Sequence, residues 1–149
     1  MLFYTHLLLG ICVFLLWKGN PLDNILLFFI LLLGAILPDI DEMHSKINRW
    51  SGILGSIVAF FSKHRGMFHS LLFALLFSAL LGWLWQFQFG LALFLGYLSH
   101  LFGDALTPMG LAIFYPFSQF RIKGPIRTGS IWEFLIMIGL AVLIVKEMI

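Results

Sequence analysis

Charged residues are scarce in this chain. Asp, Glu, Lys and Arg together make up 11% of its 149 residues, whereas a typical soluble domain has about 25%. Hydrophobic residues make up 61% of the sequence, and the mean hydropathy is +1.02. This composition excludes an ordinary soluble enzyme and predicts an integral membrane protein. The length predicts a single domain over residues 1–149.

Cysteine is nearly absent as well. Cys12, inside an apolar run, is the single cysteine of the sequence, which excludes a disulfide framework. The chain also lacks a basic cluster of the nucleic-acid-binding type, so no nucleic-acid partner is expected. Neither a basic n-region nor a small-residue cleavage site accompanies the first apolar run, which is therefore predicted to be a retained helix rather than a signal peptide.

What the chain has is a series of apolar segments. They predict an all-α integral membrane helical bundle with about five transmembrane helices, over residues 2–17, 22–37, 67–85, 87–102 and 131–145. The first two are a little shorter than the ~20 residues that a bilayer core requires. A further segment, 52–61, is only about half that length. It is predicted to be a short re-entrant or interfacial helix that does not cross.

The positions of the basic residues support the same topology. If segment 52–61 does not cross, seven of the nine Lys and Arg residues lie on one side of the membrane and two on the other. Because cytoplasmic loops carry an excess of Lys and Arg, the richer side is predicted to be cytoplasmic. A multi-pass cell-membrane protein with its N-terminus inside and its C-terminus outside is therefore expected. The seven residues are Lys46, Arg49, Lys63, Arg65, Arg121, Lys123 and Arg127; the two are Lys18 and Lys146.

A histidine and an aspartate stand at the end of one apolar segment. His100 and Asp104 are four residues apart, so on a helix both side chains project from one face. An Asp near the hydrocarbon region costs roughly 2.5–3.5 kcal/mol and needs a partner. Taken alone, the pair also suits a helix cap or a simple His–Asp hydrogen bond. A divalent cation is the strongest partner available, and imidazole and carboxylate are normal ligands for one.

Other histidines and aspartates fall at segment ends on the same predicted face. One catalytic ion needs about three protein ligands, so the full set suits two ions about 3.5–4 Å apart with a bridging carboxylate. The lack of thiolate ligands leaves zinc, manganese or iron, with zinc favoured. His44 is predicted to be solvated, and Glu133 to be either a late ligand or a partner of the helix dipole. The predicted ligands are His6, Asp39, Asp41, His64, His69, His100 and Asp104.

These residues favour metal-assisted hydrolysis. Asp41, or Asp39, would bridge the metals or act as general base, and Arg65 would hold the anionic oxygens of the substrate. A site at headgroup level favours a phosphoester in a membrane lipid or lipid-linked substrate. Two alternatives stay open: a metal-ion or proton transporter that uses the same cluster, and a non-catalytic scaffold held by a metal with closed coordination.

Several motifs resemble those of a known family. The chain resembles the YdjM-like (DUF457) family over nearly its whole length, and this implies a membrane-bound, metal-dependent hydrolase of the inner membrane. The same resemblance implies a metal site at the residues named above, with His6 as the N-terminal member. The chain is also loosely similar to the helical zinc-dependent phospholipase C and P1-nuclease group, but it lacks their further His-x-x-x-Glu pair, which leaves a third metal and the substrate class open. The motifs are Thr5-His6, Leu37-Pro-Asp-Ile-Asp41 with Ser45, His64-Arg-Gly-Met-Phe-His-Ser70, and Gly96-Tyr-Leu-Ser-His-Leu-Phe-Gly-Asp-Ala-Leu-Thr-Pro108 followed by Gly110 and Pro116.

Overall fold

The computed structural model describes residues 1–61 and 66–149. Within these ranges the protein is all-α, as predicted, and no strand is formed beyond an isolated antiparallel bridge between Leu111 and Ile122. The described residues form seven α-helices: α1 Phe3–Lys18, α2 Ile25–Ile36, α3 Lys46–Ser51, α4 Ile53–Phe61, α5 Leu71–Leu84, α6 Phe87–Ala105 and α7 Ile131–Met148.

Short 3-10 turns precede or follow several of these helices. One of them, Leu37–Asp41, continues from the end of α2 and contains Pro38 near its start, a place where the missing N–H of proline does least harm. A second, Met67–His69, precedes α5. The α-helix predicted over residues 67–85 therefore begins later, at Leu71, and His69 lies in the turn before it. The Ser70 hydroxyl accepts the N–H of Phe73 at 3.3 Å, so α5 begins only after this cap.

Helix α6 is the central element of the bundle. It packs against α1, α2 and α5, while α7 packs against α1. The α2–α6 crossing is close because glycine stands on both helices. A Cβ atom on Gly96 would overlap the carbonyl oxygen of Leu31, and one on Gly34 would overlap that of Leu93. Small residues permit such backbone contact between helices, and His100, one turn after Gly96, is thereby placed beside the end of α2.

A small apolar cluster supports the same end of α6. Tyr97 and Leu101 are fully buried there together with Ala74 of α5 and Leu111 of the long α6–α7 connection. The Tyr97 hydroxyl donates a hydrogen bond to the carbonyl oxygen of Phe68. Because Phe68 is the neighbour of His69, this bond ties the turn that carries His69 to the central helix.

One continuous helical stretch among the described residues is long and apolar enough to cross a bilayer. It is Pro21–Asp41, which contains α2 and the turns on either side of it. Helices α1 and α5 are apolar but shorter. The arrangement of five spans therefore stays a prediction.

The segment expected to be re-entrant or interfacial is a nine-residue helix, α4. It follows α3 across Gly52, whose φ of 58° lies in the left-handed region that glycine adopts without strain. Both α3 and α4 pack against the turn Leu37–Asp41. The two short helices thus form a corner, the α3–α4 corner, on the end of the apolar stretch.

Candidate metal centre

Six of the seven predicted ligands converge on one point of the fold. Each has a side-chain nitrogen or oxygen 3.3–3.9 Å from another member of the group. The seventh, His64, and the predicted substrate-binding Arg65 lie outside the described residues. The six come from four elements: His6 from α1, Asp39 and Asp41 from the turn after α2, His69 from the turn before α5, and His100 and Asp104 from α6.

His100 is the central member. Its Nε2 lies 3.3 Å from His69 Nε2, 3.6 Å from Asp39 Oδ1 and 3.9 Å from Asp104 Oδ2. Its Nδ1 lies 2.8 Å from the carbonyl oxygen of Ala35. A carbonyl oxygen can only accept, so in the neutral imidazole the proton is assigned to Nδ1. Nε2 then presents its lone pair to the cluster, which is the arrangement found in metal-binding histidines.

The three aspartates have different positions around this histidine. Asp39 Oδ1 is 3.6 Å from the Nε2 atoms of both His69 and His100. Asp104 Oδ1 is 3.4 Å from His6 Nε2, and its Oδ2 is 3.5 Å from His69 Nε2. Asp41 Oδ2 lies 3.3 Å from Nδ1 of His69. The other two aspartates, Asp39 and Asp104, lie near Nε2 of the same ring. The Asp41 contact orients the His69 ring from outside.

Two groups of three residues could each hold an ion, and His100 belongs to both. Within each group, the ligand atoms lie within 4.8 Å of one another. One is His6, Asp39 and His100; the other is His69, His100 and Asp104. Three nitrogen and oxygen ligands are the number that catalytic zinc sites use. Ligands about 2.1 Å from a tetrahedral ion are about 3.4 Å from one another. The observed separations are therefore close to those of a coordinated ion.

Burial of these polar groups gives a further reason to expect a cation. Five of the six residues are at most 3% exposed, and the side chain of Asp39 is 20% exposed. The His6 ring stacks on that of His100 with centroids 3.8 Å apart. Within the described part of the chain, its buried Nδ1 has no hydrogen-bond partner. A buried polar atom in this state is costly, so the set of donors fits a divalent ion.

The carboxylates also favour positive charge at His69. Two carboxylate oxygens lie beside its ring: Asp41 Oδ2 is 3.3 Å from Nδ1, and Asp39 Oδ1 is 3.6 Å from Nε2. Their negative charge would stabilise a cation at this ring, either a proton or a metal ion on Nε2.

Glu133 is fully buried but belongs to neither group of three. Its Oε1 accepts hydrogen bonds from Leu2 N at 2.6 Å and Thr5 Oγ1 at 2.8 Å, and its Oε2 accepts from Gly129 N at 2.6 Å. Of the two predicted roles, ligand or dipole partner, the second agrees with its position in the first turn of α7. Glu133 anchors the first turn of α1, and with it His6, to the start of α7.

Two supporting groups were not predicted from the sequence. The carbonyl of Ala35, which orients His100, is a backbone group and has no sequence signature. Asn48 is 4% exposed and donates a hydrogen bond to the turn that carries Asp39 and Asp41. It stands three residues after Ser45, a helix-capping spacing that indicates a helix start at this place in the sequence. His44 is exposed and outside the cluster, as predicted.

Comparison with known proteins gives one family and three curated relatives. A family model described as YdjM inner membrane protein matches residues 1–148. The uncharacterized protein YvsG of Bacillus subtilis is 37% identical over 110 residues, which cover 72% of this chain and 68% of YvsG. Inner membrane protein YdjM of Escherichia coli is 37% identical over 101 residues, 64% of this chain and 51% of YdjM, and YdjM of Shigella flexneri gives the same values. The match thus spans about half the length of the YdjM relatives. No solved structure matches.

Proposed function

The chain belongs to the YdjM inner membrane protein family, and from this premise we propose that it is an integral membrane metal-dependent hydrolase. Its substrate is a phosphoester in a lipid or lipid-linked molecule. The observation that carries the proposal is the convergence of three imidazoles and three carboxylates from four separate elements on one buried point. Structural stability alone gives no reason to bury so many ionisable groups together.

The metal would be held around His100. His69 and Asp104 complete one group of ligands with it, and His6 and Asp39 the other. Because the Nδ1 of His100 is bonded to a backbone carbonyl, this residue can bind only one ion directly. Two ions, zinc favoured over manganese or iron, would therefore be held by different residues: one by His100 with one of these pairs, and the other by the remaining pair.

A divalent cation supplies Lewis acidity, which activates water and stabilises the charge that develops on the departing oxygen. The chain supplies the proton acceptor and the orientation. Asp39 is the one partly exposed member of the cluster, so its carboxylate is best placed to meet an incoming water and accept its proton. Asp41, the other candidate for this role, lies 3.3 Å from Nδ1 of His69, where it would orient that ring. Binding of the phosphate oxygens by Arg65 remains a prediction.

The membrane arrangement belongs to the same proposal: an inner-membrane, multi-pass protein with five spans, and with the N-terminus and the site cytoplasmic. In its support, Asp39 and Asp41 lie at one end of the bilayer-length stretch Pro21–Asp41, the end at which a spanning helix would meet the lipid headgroups. Large apolar side chains are exposed along the outside of the bundle, among them Leu22 (78%), Trp83 (82%) and Phe87 (76%). The packing of α4 on the turn Leu37–Asp41 favours an interfacial rather than a crossing helix.

Phosphate release from lipids tests the proposal. Purified protein in lipid nanodiscs is expected to release phosphate from a lipid phosphomonoester or a lipid pyrophosphate, to lose this activity with a chelator and to regain it with zinc. Asp39→Asn is expected to lower kcat by about 100-fold or more, because it removes the proton acceptor. The matched control is Asp23→Asn, an exposed residue in the turn before α2, which should leave kcat unchanged.

Two results would contradict the proposal. One is the absence of metal-dependent hydrolysis with either substrate by a protein that has been shown to bind zinc. The other is metal-ion flux into proteoliposomes without hydrolysis, which would favour the transporter.

A further inference from the structure

The turn Leu37–Asp41 carries two aspartates of the centre, and side chains outside the turn donate hydrogen bonds to its carbonyl oxygens. It is a five-residue 3-10 turn, and such short turns have poor hydrogen-bond geometry. Carbonyl groups at the end of a helical segment also lack N–H donor partners within it. The position of the Asp39 and Asp41 carboxylates therefore depends on groups outside the turn.

Asn48 of α3 supplies one such group. Its Nδ2 donates to the carbonyl oxygen of Ile40 at 2.7 Å and to that of Gly55 at 2.6 Å. Both partners are carbonyl oxygens, which only accept, so the nitrogen rather than the oxygen of the amide must face them. Both N–H donors of the buried amide are thus used. Ile40 lies between the two aspartates, so the bond holds the turn at its centre.

Ser45 holds the same turn through the neighbouring carbonyl. Its hydroxyl donates to the carbonyl oxygen of Asp39 at 2.6 Å and accepts the N–H of Asn48 at 3.1 Å. The first turn of α3 is therefore fixed to two successive carbonyls of the turn that bears the aspartates.

The α3–α4 corner is built to bring these groups together. Gly55 of α4 lies directly against the backbone of Asn48, and a Cβ atom at this position would collide with the Asn48 carbonyl oxygen. Because there is no side chain, the Gly55 carbonyl reaches the Asn48 amide. Asn48 thus joins α4, α3 and the turn after α2 in one hydrogen-bonded unit.

We propose that Asn48 is a positioning residue of the metal centre, which fixes the Asp39 and Asp41 carboxylates through the backbone of Ile40. The proposal rests on the proposed function, because the groups that Asn48 positions are the candidate ligand Asp39 and the orienting residue Asp41. Asp39 Oδ1 lies at equal distances of 3.6 Å from the nitrogens of His69 and His100. Displacements of about 0.5 Å are enough to weaken a metal or catalytic site, so loss of the Asn48 bonds should be felt there.

The substitution Asn48→Asp tests this role. It keeps the size and shape of the side chain but replaces both N–H donors with oxygens that face carbonyl oxygens. Zinc affinity, measured by titration against a competing chelator, is expected to fall roughly tenfold to a hundredfold, as for other residues that orient ligands. Asn48→Gln keeps the amide and should recover part of the loss. The matched control is Asn20→Asp. Asn20 is exposed and caps the turn Pro21–Asn24 before α2, where its side chain accepts the N–H of Leu22. The zinc affinity of this variant should equal that of the wild type.

A second measurement separates positioning from simple structural support. Thermal unfolding of the metal-free protein reports stability, whereas the titration reports affinity of the folded protein. Wild-type zinc affinity in Asn48→Asp, whatever its stability, would overturn the inference. If that variant does not fold, Ser45→Ala, which removes the hydroxyl that donates to the Asp39 carbonyl, is expected to weaken zinc binding roughly tenfold. Unchanged affinity in that variant would overturn the inference equally. A wild-type protein that binds no zinc would instead overturn the proposed function itself.

Discussion

Replacing His100 with alanine is expected to lower the transition-metal content of the purified protein by at least half, because this residue would bind one of the two ions directly. His100 belongs to both groups of candidate ligands, and its Nε2 is the atom nearest to several of the others. The binding free energy of a structural zinc ion with four ligands is about 10–16 kcal/mol, which is about 3 kcal/mol for each ligand. The loss of one ligand should therefore weaken binding by roughly a hundredfold. Metal analysis by mass spectrometry after identical purification measures this effect.

The matched control for this variant is His44→Ala. His44 is exposed and lies in the connection between the turn Leu37–Asp41 and α3, outside the cluster, so this variant should retain the metal content of the wild type. Wild-type metal content in His100→Ala would show that the metal, if any, binds elsewhere. Equal loss in both variants would show that the metal is held at the surface.

Replacing Gly96 with alanine is expected to lower the free energy of unfolding by about 3 kcal/mol. The new methyl group would overlap the carbonyl oxygen of Leu31 and would lie 2.9 Å from the backbone nitrogen of Ala35. Backbone atoms on both sides cannot move as side chains can, so α2 and α6 must separate. Since Ala35 also accepts the hydrogen bond from His100, the separation should weaken metal binding as well.

Thermal unfolding in detergent measures the stability of this variant. The matched control is Gly139→Ala in α7, where an added Cβ atom meets nothing within 4 Å. That variant should be as stable as the wild type or more stable by up to about 1 kcal/mol, because alanine is the better helix former. Equal unfolding temperatures for the Gly96 and Gly139 variants would contradict the close packing of α2 on α6.

Periodicity and composition predicted the helical framework and part of the centre. The spacing of His100 and Asp104 placed both on one helix face, and both are indeed on α6. Asp39 and Asp41, predicted to fall at the end of an apolar segment, lie in the 3-10 turn after α2, because Pro38 makes the chain leave the α-helix there. These features depend on local chemistry, which the sequence displays directly.

The remaining features depend on contacts between distant parts of the chain. Whether Asp41 lies beside Nε2 or Nδ1 of His69 is decided by the relative position of two turns, because these two residues are 28 positions apart in the sequence. The role of Glu133 depends on the approach of α7 to the start of α1. In the sequence, Asn48 is one polar residue among several between two apolar segments. It is buried because α4 packs against it and the Gly55 carbonyl accepts a hydrogen bond from its side chain. No periodic pattern encodes such contacts.

The central claim is that α1, α6 and the two turns together bind a cation. Its most direct test is a crystal structure of the zinc-loaded protein with data collected at the zinc absorption edge. An anomalous peak is expected about 2.0–2.1 Å from the Nε2 atom of His100, with carboxylate oxygens of Asp39 or Asp104 among its other neighbours. An anomalous map with no peak near His100, or with peaks only at surface residues such as His44, would contradict the account.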